Sequence, residues 1–508
     1  MKFNRNFLCC ISAVLVFSTT ESRAQNTKPE AIENAILKDK KNFYYIDFKK
    51  YNAADPSLPI GVFDSGTGGL TILNTLVQFD QHNNATKFAG KDNIPDFAKE
   101  KFIYLADQAN MPYGNYYSEK KNDLLVEHII KDAQFLLSDK YYLNNTTKNY
   151  SSDKQKVKAI VIACNTATAY GKEYIEDFIK TTGINLKVIG VIDAGAQGTL
   201  DVFKKDENGS IGVFATVGTI ASKGYETTIL ALKDKLGYKG NLQVYNQGGY
   251  GLAEAVDEEP DFINRKAIAP TANYRGPKLD SGAYKIERTL LDVYNFDFSN
   301  HKMLCDSKSD ECGNMQLNAA DNYARYHLVS LMEKIRNTKG AQPLKALVLG
   351  CTHYPFLISD IRKILSDLYN FQKNGNFIYR TFMNKDIQII DPAINVATEL
   401  YTYLNKQHLF NPAGNMNASE FFISIPNADN KTVITDKEGR FTYNYKYGRN
   451  AGEIQEYVKV VPFSRNNIPA ETLDRIKTVI PSTYELIQKF HTDNSKLITL
   501  PEAEKIKP

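Results

Sequence analysis

Two stretches of the chain read as copies of one another, and no other feature limits the fold so sharply. They are Ala159-Ile160-Val161-Ile162-Ala163-Cys164-Asn165-Thr166 and Ala346-Leu347-Val348-Leu349-Gly350-Cys351-Thr352-His353. Each is an apolar run that leads straight into a cysteine followed by polar groups. An unbroken run rich in Val, Ile and Leu predicts a strand buried on both faces of a parallel sheet. In open α/β sheets, ligands bind beyond the carboxyl ends of the strands. The spacing therefore predicts two thiols at two equivalent strand ends. A second echo supports this, for Ile60-Gly61-Val62-Phe63-Asp64-Ser65-Gly66-Thr67-Gly68 is matched by Ile211-Gly212-Val213-Phe214-Ala215-Thr216-Val217-Gly218-Thr219. Two echoes in the same order predict a duplicated domain. Domains facing across a cleft would set Cys164 and Cys351 on opposite sides of one bound molecule.

The fold class expected is α/β: two pseudo-symmetric, doubly wound domains with parallel-rich sheets facing across a cleft, plus a C-terminal α+β appendage. A chain of 508 residues can bury at least two cores. The first domain is expected at 59–185, completed by about 355–410. The second is expected at 186–354, with an insertion at about 260–319, where periodicity gives way to Pro, Gly and Tyr. Residues 25–58 read as a polar surface arm. The appendage, 411–508, is expected to hold short antiparallel strands at 421–425, 432–435, 441–447 and 457–463, then helices at 469–477 and 482–491.

The first two dozen residues differ from the rest. Lys2 and Arg5 precede an apolar stretch at 7–17, and Ser22-Arg23-Ala24 ends it with small residues at the positions a signal peptidase reads. This predicts a secretory signal over 1–24, cleaved after Ala24, and an exported, periplasmic protein. The apolar run is too short to span a bilayer. Cys9 and Cys10 lie inside it, near its start, and are not read as lipid-attachment sites. Four cysteines then remain. Cys305 and Cys312 flank the polar loop 306–311 and form a candidate disulfide in an oxidising compartment. A metal site there lacks nearby histidines and has the wrong spacing, so no metal is expected. Cys164 and Cys351 are left as unpaired thiols. With 62 basic and 58 acidic residues, net +4, the chain has no electrostatic footprint for nucleic acid.

A thiol titrates near about 8.5, and neighbours can lower that toward neutrality. A thiolate on one face of a carbon and a thiol on the other can remove a proton from one side and return one to the other, inverting the centre without redox chemistry. Each needs a polar neighbour to exchange its proton. Asp64, at the first strand end, and His353, two residues after Cys351, are the candidates. Buried cysteines at strand ends are often inert packing. The crowd of polar groups in Cys351-Thr352-His353-Tyr354-Pro355 favours the functional reading. The Gly-rich turn Asp64-Ser65-Gly66-Thr67-Gly68-Gly69 fits neither the dinucleotide fingerprint nor the P-loop. Met111-Pro112-Tyr113-Gly114 reads as a turn able to hold backbone donors in place.

Taken together, Asp64-Ser65-Gly66-Thr67-Gly68-Gly69-Leu70, Pro112-Tyr113-Gly114, Cys164-Asn165-Thr166-Ala167 and Gly350-Cys351-Thr352-His353-Tyr354-Pro355 resemble the motif set of glutamate racemases, in the aspartate/glutamate racemase superfamily. The four motifs fall in the family's order across about 59–400. The resemblance implies a two-base racemisation that needs no cofactor, in a cleft between two pseudo-symmetric α/β domains. It implies Cys164 and Cys351 as the proton donor/acceptor pair, assisted by Asp64 and His353. Ser65, Pro112, Tyr113, Gly114, Asn165, Thr166 and Thr352 would bind the substrate. The partner expected is a small acidic amino acid, glutamate, aspartate or a relative, with a homodimer left open.

The chain departs from the family at several points. Asn110 stands where the family usually has Arg, and Asp193-Ala194 where it has Glu-Pro. The segment that normally carries Cys-Pro and a helpful Glu reads Asn246-Gln247-Gly248-Gly249-Tyr250-Gly251, with Glu254 or Asp257 as its replacement. The family's usual role, making D-glutamate for cell-wall precursors, is cytoplasmic. An exported binding or interaction protein on the same scaffold is the alternative reading.

Overall fold

The computed structural model describes residues 29–256, 258, 261–307 and 312–507. The predicted leader, 1–24, lies outside the described residues. Among those residues no helix is long and apolar enough to cross a membrane.

The strands β1 (Ile60–Asp64), β2 (Phe102–Ala106), β3 (Ala159–Ile162) and β4 (Lys187–Gly190) come first, then β5 (Gly209–Ala215) and β6 (Leu242–Gly248). Four short strands follow: β7 (Lys278–Leu279), β8 (Lys285–Ile286), β9 (Met303–Cys305) and β10 (Met315–Leu317). After β11 (Leu344–Gly350) come the hairpin strands β12 (Gln372–Lys373) and β13 (Asn376–Phe377), then β14 (Met383–Ile390), β15 (Glu420–Pro426) and β16 (Val458–Pro462).

The duplication is visible in the sheets. One runs β2-β1-β3-β4 and the other β6-β5-β11-β14, every one of these pairs being parallel. The echoed sequences pair in the same register, Ile60 with Ala159 in one domain and Ile211 with Ala346 in the other. β1 and β3 are wholly buried, which is why their sequences show no alternation. After β4 and β14 the chain enters helices Val191–Asp201 and Pro392–Lys406, which pack on each other between the domains. A Cβ on Gly195 would lie 3.0 Å from the Pro392 ring, so the close approach depends on glycine.

Several expected boundaries are corrected. The strand 187–190 belongs to the first sheet, not the second domain. Residues 355–390 do not complete the first domain: helix Ile358–Asn370 packs on helix Ala320–Arg336, and β14 extends the second sheet. The repeat has four strands in each half, two more than the echoes alone reveal. The C-terminal region is no separate antiparallel unit either. β15 runs parallel to β2 and extends the first sheet to six strands, with β16 antiparallel at its edge. The strand expected at 441–447 is helix Tyr443–Gly448, and 432–435 contributes only an isolated bridge, Thr435 to Phe441.

The polar arm is docked rather than free on the surface. Helix Glu30–Leu37 buries Ile32 and Ile36 and packs against helix Asn122–Leu137, and Tyr51 donates to the Val157 carbonyl at 2.7 Å. The inserted region forms its own sheet, β8-β7-β10-β9. A disulfide joins Cys305 to Cys312, while Cys164 and Cys351 are free thiols.

Candidate active site

Cys164 follows β3 and caps helix Asn165–Thr182, its Sγ accepting the Ala167 N–H at 3.4 Å. Oxygen side chains cap helices better than sulfur does. A thiol at this position gives up some capping strength and gains the partial positive charge of the helix N-terminus, which favours a thiolate. At the end of β1, the Asp64 Oδ2 accepts the Gly69 N–H at 2.8 Å and the Gly66 N–H at 3.2 Å. A Cβ on Gly69 would lie 2.5 Å from the Asp64 Cβ and 2.9 Å from the Ala163 Cβ, so only glycine lets this turn close over the two strand ends. The Cys164 thiol hydrogen-bonds to Asp64, and its Sγ lies 3.7 Å from Ser65 Oγ. Burial raises the Asp64 carboxyl above its ordinary value against the pull of those amides. Burial, then the charge of Asp64, pushes the Cys164 thiol up to about 12.

Cys351 follows β11. His353 Nδ1 lies 3.6 Å from its Sγ and 3.5 Å from Thr352 Oγ1. The local geometry is not a copy of the first half, because a short 3-10 turn, Tyr354–Leu357, precedes helix Ile358–Asn370 here. The two cysteine-bearing ends are tied across the domains. Asn165 Nδ2 donates to the Gly350 carbonyl at 3.3 Å, and the Tyr225 hydroxyl donates to Asn165 Oδ1 at 3.1 Å. A Cβ on Gly68 would lie 3.6 Å from both Asp64 Oδ2 and Thr352 Oγ1, so the neighbours of the two thiols flank one glycine. Both cysteines are buried, at 7% and 6% exposure. A cavity of about 90 Å³ between the domains is walled by Cys351, Thr352, Asn165, Tyr225, Asp391 and Phe356, among others. Cys164 and Asp64 lie outside that wall.

The loop after β2 bridges the domains. Met111 Sδ lies over Gly66, and helix Gly114–Ser118 packs against helix Val217–Ala221 of the second domain. Pro112 is exposed, and a Cβ on Gly114 would meet only open space. Tyr113 is placed differently from its expected role. Its hydroxyl is buried, 2.5 Å from Asp107 Oδ2 and 2.6 Å from Asp132 Oδ2. One phenolic hydrogen cannot serve two carboxylates, so one acid must keep its proton. That acid is Asp132, pushed well above the carboxylate range by burial and then by the charge of Asp107. The Tyr113 side chain is thus drawn into the first domain, held by Asp107 and Asp132.

Ser65, Thr166, Asn165 and Thr352 are all half-buried around the strand ends. Glu254 is half-buried in helix Leu252–Val256, beyond β6, and Asp257 lies outside the described residues. Sequence reasoning missed Arg449. This buried guanidinium comes from the C-terminal region and donates through Nη2 to Asn110 Oδ1 at 2.8 Å. A signal for it was present, since Asn110 replaces the arginine usual at that position.

No family profile matches the chain. It is similar to the glutamate racemase of Thermoanaerobacter pseudethanolicus, 29% identical over 368 residues, covering 72% of this chain and 88% of the relative. Glutamate racemase 2 of Caldanaerobacter subterraneus is 25% identical over the same shares. Among solved structures, a glutamate racemase isoform of Bacillus anthracis aligns with TM-score 0.41 at 23% identity, covering 72% of this chain and 88% of that one. The glutamate racemase of Francisella tularensis in complex with D-glutamate aligns with TM-score 0.38 at 20% identity, covering 78% and 95%.

Proposed function

We propose, from the chain's similarity to glutamate racemases over 72% of its length, that it is an amino-acid racemase of the aspartate/glutamate racemase superfamily. In this reading it inverts the α-carbon of glutamate or a related acidic amino acid by proton transfer between Cys164 and Cys351, with no cofactor. The observation that carries the reading is the meeting of the two cysteine-bearing strand ends, tied by Asn165 to Gly350 and flanking Gly68.

One sulfur, as thiolate, takes the α-proton, and the thiol opposite delivers its own proton to the other face. Thiol and thiolate have then exchanged places, so the reverse reaction starts from the product state. Asp64 is the base for Cys164, since burial has raised its affinity for a proton. The thiolate and Asp64 sit in a buried site that disfavours negative charge. A substrate ammonium arriving there would favour the ionised sulfur. His353, with its Nδ1 3.6 Å from the Cys351 Sγ, is the proton-exchange partner of Cys351. Ser65, Thr166 and Thr352, with the N-terminus of helix Asn165–Thr182, offer donors to the carboxylates. Both thiols are buried, so ligand entry requires the domains to part.

Incubating the mature protein with L-glutamate in deuterated water is expected to yield the D-enantiomer carrying α-deuterium. Cys164→Ala and Cys351→Ala should each cut the rate by about 10² to 10⁴-fold or more. Absence of exchange with every acidic amino acid tried would sink the reading. Tight ligand binding without exchange would instead favour the exported binding protein, a reading supported by the high proton affinity of Cys164 and its place off the cavity wall. The Cys305–Cys312 disulfide supports the proposal that the chain works in an oxidising compartment.

A further inference from the structure

Besides pairing β15 with β2, the C-terminal region bonds the loop that follows β2. Lys446 Nζ donates to the Met111 carbonyl and the Tyr447 hydroxyl to the Pro112 carbonyl, the latter at 3.4 Å. The two carbonyls on either side of the Met111–Pro112 bond pair are thus held from outside the domain. Arg449 Nη2 bonds Asn110 Oδ1, and the Asn110 amide in turn donates to both oxygens of Asp107 at 3.0 Å. Asp107 also accepts the Tyr113 hydroxyl and, at 2.6 Å, the Ser424 hydroxyl from β15. Further back, Lys121 Nζ donates to the Arg449 carbonyl at 2.9 Å and the Gly452 N–H to Glu127 Oε2 at 2.6 Å.

A buried guanidinium is costly unless its charge is answered. Here Phe441, Tyr445 and Tyr457 surround it with ring centroids at 4.7, 5.2 and 5.0 Å, which is favourable cation–π geometry. The carboxylate of Asp107 answers it through Asn110. Packing alone would be met by an apolar residue at 449. An arginine aimed at a loop that bridges the two domains serves geometry as well.

We propose that residues 441–452 clamp the Pro112–Tyr113–Gly114 loop, and that Arg449 is a positioning residue for the substrate's seat. The second half of this rests on the racemase reading, because it assigns that loop's main-chain donors to the ligand. The clamp itself does not. Through it, the C-terminal region becomes part of the active unit, supplying from about 340 residues away the cation that the loop's own sequence lacks.

The test compares full-length wild type with Arg449→Met and Lys446→Met. Amide hydrogen exchange is read on the peptide spanning 107–116, with β11 as internal control. Racemisation kinetics use L-glutamate in deuterated water. Arg449→Met is expected to speed exchange of 107–116 about tenfold and raise KM about tenfold, with kcat within about threefold, as loss of one charged hydrogen bond implies. Lys446→Met should move both in the same direction by less. A folded Arg449→Met protein with wild-type exchange at 107–116 overturns the clamp. A fall in kcat with KM unchanged overturns the positioning role. If Arg449→Met does not fold, the half-buried Lys446 decides by the same two readouts. If wild type itself shows no turnover, the racemase reading has failed and the exchange data still decide the clamp.

Discussion

Cys164 holds its proton far more tightly than a free thiol does. Burial raises it from an ordinary 9.0 to about 12, with the charge of Asp64 as the second cause. For an acid raised on folding, the folded and unfolded chains bind the proton equally below the unfolded value. The folded state then loses relative stability as pH climbs from about 9 toward 12. The same shift predicts reactivity. In Cys351→Ala protein, alkylation of Cys164 should rise about tenfold per pH unit from 7 through 10. A rate that levels off near pH 8.5–9 would show an ordinary thiol and remove Asp64 from its assigned part. Most of this site was legible because Asp64, Ser65, Asn165, Thr352 and His353 adjoin strand ends that the apolar runs announce. The direction of the Tyr113 side chain was not, since it depends on Asp107 and Asp132, on the far side of the loop from the cleft.

Secondary structure failed most clearly where local pattern was overruled by packing. Tyr443, Tyr445 and Tyr447 alternate as a strand should. They form a helix because Thr442 caps it, accepting the Tyr445 N–H at 3.3 Å, and the Tyr443 and Tyr447 rings pack one turn apart, tilted at 60° with centroids at 4.6 Å. β15 was read correctly as a strand and wrongly as part of a separate unit. Its Phe421 and Phe422, with Phe463 and Phe490, are at most 1% exposed and pack against Tyr104 and Phe135 of the first domain. Removing one buried Phe costs about 3–5 kcal/mol, and whole proteins are stable by only about 5–15 kcal/mol. Losing four, about 12–20 kcal/mol, equals or exceeds that margin. A chain ending at 410 is therefore expected to be insoluble or unfolded. A soluble product with a cooperative melting transition would show the C-terminal region to be dispensable.

At the scale of the molecule, two α/β domains of matching strand order meet through helices Val191–Asp201 and Pro392–Lys406. The first is enlarged on its outer side by the arm, the 139–156 stretch and the C-terminal strands. Tyr142 N–H, for instance, donates to the Val460 carbonyl at 2.9 Å. The additions still reach the space between the domains, where Ile480 of the C-terminal region is part of the cavity wall and residues 446–449 bond the 107–114 loop. The leader proposed from the sequence, with the Cys305–Cys312 disulfide, makes a prediction at this scale. The mature protein recovered from outside the cytoplasm should begin at Gln25 and carry two free thiols under denaturing, non-reducing conditions. Retention of Met1, or four titratable thiols, would contradict export.

By itself the sequence determined the duplication, the parallel class of the sheets and the two thiols at equivalent strand ends. Each of these follows from short contiguous stretches, where burial on both strand faces dictates composition residue by residue. Only the tertiary structure decided where the domains divide, which way Tyr113 points, and that an arginine near the C-terminus stands beside Asn110. The arginine depends on a contact 339 residues away along the chain, and Tyr113 on two carboxylates 6 and 19 residues away on other elements, and side-chain pairing between elements leaves no local pattern to read.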